Sequence, residues 1–149
     1  MGESHSLKSS PEVPGVEPFL DDDGAWLALV VRHSYSPEGI HFFTPPEFSQ
    51  QLGYMRHPAG HEVIPHRHNE VERTVMRTQE VLFLRRGRCR IDLYGDDERH
   101  VTSVTLDAGD WILLAGGGHG LHMLEECELF EVKQGPFVGE SDKTRFEGI

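Results

Sequence analysis

Short runs of alternating apolar and polar residues dominate the chain from residue 19 onward. In the run 88–94, Cys89, Ile91 and Leu93 fall on one face of an extended strand, and Arg90 and Asp92 fall on the other. Clusters of Gly, Pro and Asp separate the runs and are typical of tight turns. This pattern predicts little helix and about ten strands, at residues 26–31, 40–43, 48–57, 61–68, 79–84, 88–94, 100–106, 111–114, 119–124 and 128–133.

The chain divides into a predicted flexible arm and one domain. Residues 1–18 are rich in Ser, Pro, Gly and Glu and carry few large apolar groups, which favours a flexible N-terminal arm. Residues 19–149 have the length of one domain with a single core. Many short strands at this spacing predict an all-β sandwich or jelly roll.

The charge balance restricts the classes of partner. The chain has 14 Lys and Arg against 25 Asp and Glu, a formal net charge of -11, which disfavours nucleic acid and anionic membrane surfaces. No apolar run approaches the length of about 20 residues that crosses a bilayer, and residues 1–11 lack a signal-like apolar stretch. We therefore expect a cytoplasmic protein. Its two cysteines, Cys89 and Cys127, lie in alternating stretches and are expected to be free, small buried side chains.

Histidine is unusually frequent, and one pair of histidines has the spacing of metal ligands. His66 and His68 are two residues apart, so they project from the same face of an extended strand, together with Ile64. Two neighbouring imidazoles suit zinc, iron, nickel, copper or manganese. The same spacing also occurs on exposed strands, so the pair alone is a weak signal.

A carboxylate and a third histidine are the other candidate ligands. Glu80 begins the apolar run 80–84, where an unpaired charge would be costly to bury. His119 follows the glycine turn 116–118 and is in phase with two apolar residues, whereas the nearby His122 is on the opposite face. Glu72 is an alternative carboxylate, since strand parity does not separate it from Glu80.

These residues together resemble the two motifs of the cupin superfamily. Gly60, the His66 and His68 pair, Glu80 and Gly87 look like the first motif; Gly109, an apolar run, a glycine turn and His119 look like the second. The resemblance implies a cupin-type jelly-roll β-barrel that binds one divalent transition metal ion through His66, His68, Glu80 and His119. The sequence departs from the pattern in two places. Residues 69–79 lengthen the usual gap before the glutamate, and Ala115 replaces the usual proline of the second motif.

A second resemblance suggests a biological setting. The stretches 42–56, 131–136 and 142–145 look like small single-domain cupins associated with bacterial sugar and surface-polysaccharide biosynthesis. We expect a metal-binding protein that acts on, or binds, a small carbohydrate or carboxylate. The alternatives are a metal-stabilised binding module without catalysis and a metal-free sugar-nucleotide isomerase or epimerase that uses a histidine as general base.

Four further polar residues are candidates for the pocket wall, because they lie on strands with apolar neighbours. If Arg56 faces inward, its planar guanidinium would suit a carboxylate or phosphate. The strands at 26–31 and 40–43 carry more apolar residues than one barrel wall needs, which suggests a homodimer. The candidate pocket residues are Tyr54, Arg56, Glu131 and Lys133.

Overall fold

The computed structural model describes residues 13–149 and confirms an all-β protein with ten strands. The helical content of this range is a four-residue 3-10 turn, Gly139–Asp142, so it contains no helix that could span a membrane. The strands are β1 (Val16–Leu20), β2 (Trp26–Val31), β3 (Gly39–Phe42), β4 (Gly53–Arg56), β5 (Glu80–Arg86), β6 (Arg88–Tyr94), β7 (His100–Asp107), β8 (Trp111–Leu114), β9 (Gly118–Met123) and β10 (Glu128–Lys133).

The strands form two main antiparallel sheets and one hairpin. Sheet I has the order β1-β2-β8-β5-β10, sheet II has the order β7-β6-β9, and β3 pairs with β4. β5 and β6 are joined by a tight turn at Gly87 but belong to different sheets. Across residues 13–149 the strand pairings leave open edges and do not close a barrel.

The main core lies between the two sheets. Sheet I contributes Leu82, Leu84 and Ile112, while sheet II contributes Ile91 and Leu93, and all five are nearly or fully buried. The alternation in β6 predicted this face correctly. The thiol of Cys89 also lies in this core, and both cysteines are free, as expected.

The outer face of sheet I carries a smaller second core. Leu29, Val81 and Leu113 are buried beneath the loop that follows β3, which contributes Phe43 and Phe48. β2 is therefore buried on both faces within one chain. This position explains its apolar excess without a second subunit, so the run at 26–31 offers no surface to a partner.

Three strand positions differ from the sequence prediction. The strand predicted at 48–57 is limited to β4, Gly53–Arg56. Residues 61–68 form no strand, and Pro65 in this run lacks the N–H that a central strand would donate. Conversely, β1 includes Val16 and Pro18, which belong to the predicted arm. Pro18 is tolerated there because β1 is an edge strand, and Phe19 packs against the main core. Residues 1–12 of that arm lie outside the described residues.

Candidate functional site

Glu80 is a buried acid at one end of the inter-sheet core. It opens β5 on the face that carries Leu82 and Leu84, and it is 9% exposed. Leu114 of β8 and Lys133 of β10 are its direct cross-strand neighbours. A carboxylate in this position loses much of its hydration and needs a polar partner.

That partner is His119. In β9, His119 is paired with Leu93, so its side chain faces the core side of sheet II. Its Nε2 lies 3.3 Å from Oε2 of Glu80. This hydrogen bond holds the pKa of Glu80 below its usual value, against the upward effect of burial, and the charges of Lys143 and Lys133 add to the lowering.

The glycine turn before β9 brings this strand close to its neighbours. Gly117 has a φ of +63°, and a Cβ at this position would lie 2.1 Å from the carbonyl oxygen of Tyr94. A Cβ at Gly116 would lie 2.7 Å from the carbonyl oxygen of Trp26. The turn therefore requires glycine, both for its backbone conformation and for its close contacts.

A cavity of about 910 Å³ surrounds the free edge of β9. Glu80 and His119 line its inner wall, and residues 142–149 line its outer rim. The C-terminal segment is held in place by Phe146, whose ring centroid lies 5.1 Å from that of Tyr94, and by the Ile149 amide, which donates to the Tyr94 hydroxyl at 3.1 Å. The volume suits a small ligand such as a monosaccharide or an organic acid.

A second polar cluster lies on the outer face of sheet II and borders the same cavity. Asp92 is 4% exposed and accepts hydrogen bonds from Arg90 Nε at 2.9 Å and Ser103 Oγ at 2.6 Å. Burial raises the pKa of Asp92, but the hydrogen bonds from Arg90 and Ser103 outweigh it and leave the pKa below its usual value. Arg90 is in turn opposite His122 on β9.

The structure brings together two of the four predicted metal ligands. Glu80 and His119 are in contact, whereas His66 and His68 lie on the exposed segment between β4 and β5 and do not line the cavity. Their ring centroids are 5.5 Å apart, and His66 Nδ1 lies 2.9 Å from the Ile64 carbonyl oxygen. As arranged, residues 13–149 hold no group of three or more His, Cys, Asp or Glu side chains with metal-binding geometry.

The alternative ligands take different positions from the preferred ones. Glu72 is exposed on the segment that carries His66 and His68, while Glu80 is buried in the core. His122 lies on the outer face of sheet II, opposite Arg90, and His119 lies on the inner face.

The four predicted pocket residues lie outside the cavity wall. Tyr54 packs edge-on against Tyr35 in the β3-β4 hairpin, and Arg56 donates to the Ser36 carbonyl oxygen at 2.6 Å. Glu131 and Lys133 lie on the edge strand β10. The positive charge of Lys133, directly across the strand pair, helps to lower the pKa of Glu80.

Sequence reasoning did not single out several residues that border the cavity. Arg90, Asp92 and Tyr94 alternate with core residues along β6, so their shared face was predicted. The burial of Asp92 was not predicted, because it involves a hydrogen bond from Ser103 on the neighbouring strand β7, which only the folded pairing brings close.

Comparisons of the chain with protein-family models, with curated proteins and with solved structures gave no match.

Proposed function

We propose that this protein binds a small carbohydrate or carboxylate in the cavity at the edge of β9, with Glu80 and His119 contacting the ligand. The observation that carries the proposal is the buried acid–imidazole pair, 3.3 Å apart, in the wall of a cavity of about 910 Å³. A buried carboxylate that lines a cavity and contacts an imidazole is a frequent feature of functional sites.

We further propose that the fold is a cupin-type jelly roll and that the pair is half of a metal site. The resemblance to both cupin motifs supports this proposal, and a carboxylate next to an imidazole suits a divalent transition metal. The other half does not fit as arranged, because His66 and His68 point to solvent on a segment without strand partners. Residues 61–68 would have to approach the free edge of β9 to complete the ligand set.

When bound, a metal ion would supply Lewis acidity toward a carbonyl or hydroxyl group of the ligand. The residues of the chain would bind and orient the ligand. His119 would hold Glu80 in its ionised form, and the C-terminal segment with Tyr94 would limit access of water from the outer side.

The main alternative is a metal-free enzyme, and the contact between Glu80 and His119 favours it. A carboxylate that orients an imidazole is the arrangement of a general base and its positioning partner. In that case the protein would act as an isomerase or epimerase on a sugar derivative, in keeping with the suggested setting in sugar and polysaccharide biosynthesis. A binding module without catalysis would use the same cavity and the same pair.

Metal analysis of three variants tests the metal proposal. The protein is purified without chelator or nickel resin, dialysed with a divalent metal and assayed by elemental analysis. We expect about one metal ion per chain in the wild type, loss of metal in Glu80→Gln and in His66→Ala with His68→Ala, and retention in the matched control Glu72→Gln. Equal metal content in Glu80→Gln and Glu72→Gln would show that Glu80 is not the carboxylate ligand.

A second measurement separates the metal-free site from the metal site. Wild type that binds no metal, but binds a sugar or organic acid with an affinity reduced in Glu80→Gln and in His119→Gln, would support the metal-free site. Calorimetry is carried out with divalent metals and with a panel of sugars and organic acids. A protein that binds none of them would contradict the proposed function.

A further inference from the structure

An apolar row crosses the outer face of sheet I, from the buried Val31 of β2 to the exposed residues of the edge strand, β10. The row contains Val31, Trp111, Phe83 and Phe130, which are direct cross-strand neighbours on four successive strands. The rings of Phe83 and Trp111 stack with centroids 4.6 Å apart. Beyond them the row becomes open: Phe130 is 57% exposed and its neighbour Val132 is 59% exposed.

The backbone of β10 is open along the same border. Gln134 N donates to the Gln79 carbonyl oxygen at 3.0 Å, so the even-numbered residues of β10 pair with β5. The N–H and C=O groups of Leu129, Glu131 and Lys133 therefore point away from β5. Because β10 is the last strand of sheet I, these groups face no other strand of the described residues.

The charges on β10 would be complementary to those on β10 of a second copy. Edge strands that avoid pairing are usually protected by charged side chains, especially lysines, or by a proline. Here Glu131 and Lys133 have opposite charges, and within one copy Lys133 Nζ lies 4.0 Å from Glu131 Oε1. The backbone groups of both residues face away from β5. In an antiparallel pairing of two β10 strands about a two-fold axis at Val132, Glu131 of each copy lies opposite Lys133 of the other.

We propose that two copies of this chain associate through their β10 strands and form one continuous sheet across the two-fold axis. In this register the Val132 side chains meet at the axis, and each Phe130 lies diagonal to Val132 of the second copy on the outer face. The pairing joins backbone hydrogen bonds, two reciprocal ion pairs and the two apolar rows in one isologous interface. It differs from the interface expected at strands 26–31 and 40–43.

The oligomeric mass of the full chain, measured by light scattering and sedimentation at micromolar concentration, tests this interface. We expect twice the 16.9 kDa of one chain for the wild type. Phe130→Lys should raise the dimer dissociation constant at least about tenfold, as expected for a residue near the centre of an interface. Glu131→Pro should have a similar effect, because it removes an outward N–H while leaving the pairing with β5 intact.

The matched control is Phe42→Lys, which alters a phenylalanine of similar exposure, 63%, on the β3-β4 hairpin. It should remain dimeric. Circular dichroism confirms that each variant is folded before its mass is interpreted. A monomeric wild type, or a dimer that dissociates in Phe42→Lys and persists in both β10 variants, would overturn the proposal.

Discussion

Replacing Asp110 with alanine tests how the loop between β7 and β8 stabilises the fold. Asp110 is 3% exposed and accepts three hydrogen bonds, from the backbone amides of His33 at 2.8 Å and Asp107 at 2.9 Å and from Arg32 Nη1 at 2.9 Å. Its own carbonyl oxygen accepts from Leu84 N at 3.0 Å. The side chain therefore joins the start of β8 to the segment after β2.

The structure gives the expected size of the effect. Hydrogen bonds to a charged group contribute about 1.5–3 kcal/mol each, and both backbone donors would lose their carboxylate acceptor. His33 and Asp107 are exposed, so water replaces part of each bond and the contribution of each lies at the lower end of this range. The bond from Arg32 counts for less, about 1 kcal/mol, because its side chain is 24% exposed and it keeps its bonds to Glu17 and to the Thr105 carbonyl oxygen. We expect Asp110→Ala to lower the free energy of unfolding by about 4 kcal/mol.

Urea unfolding followed by tryptophan fluorescence measures this loss, since Trp111 is adjacent to the substituted residue. A fall of about 4 kcal/mol would take a large part of the 5–15 kcal/mol that is typical of a domain, and would lower Tm by about 10 °C. The control Asp96→Ala removes an exposed acid paired with Arg77 and should leave the unfolding curve unchanged. A loss below about 1 kcal/mol in Asp110→Ala would refute the reasoning, because it would mean that the three donors find other acceptors.

Two further substitutions test the walls of the cavity. Asp92→Asn should destabilise the protein by about 1–3 kcal/mol at neutral pH, because the buried carboxylate loses its charged bond to Arg90. Since the pKa of Asp92 is lowered in the folded state, its contribution is present above a pH of about 3.8 and is lost as the pH falls through the lowered pKa. The gap between the acid unfolding curves of variant and wild type should close there, and a constant gap would contradict this assignment. Gly117→Ala should cost several kcal/mol in thermal unfolding, through a positive φ together with the clash at Tyr94. Gly24→Ala has a similar φ of +82° with nothing within 4 Å, so it should cost only about 1–2 kcal/mol, and equal losses would exclude the clash.

Alternation along the chain predicted the fold well where one strand face is buried. The core face of β6 follows from the period of two, because a shift by one residue would move charges into the core. The burial of the start of β5 follows from the continuous apolar run 81–84. The same reasoning fails where pairing depends on distant partners. β1 was missed because Glu17 and Pro18 resemble a flexible arm, while its pairing with β2 is visible only in three dimensions.

For the candidate site, local sequence distinguished residues by their apolar surroundings. Glu80 was preferred over Glu72 because an apolar run follows it, and the structure has Glu80 buried and Glu72 exposed. The spacing of His66 and His68 indicates a shared face only if the segment is extended within a sheet. Spacing alone carries no information about which strand edge the segment meets, so the metal ligand set stays a prediction.

The two walls of the cavity have unequal mechanical support. Glu80 lies on β5, which has a hydrogen-bonded strand on each side, so displacing it would require bending sheet I. His119 lies on β9, which pairs with β6 on one side only. Edge strands open more readily than central ones, so amide hydrogen exchange should be faster in β9 than in β5. The Glu80 carboxylate would then keep its position, and β9 with His119 would move to accommodate ligands of different shape.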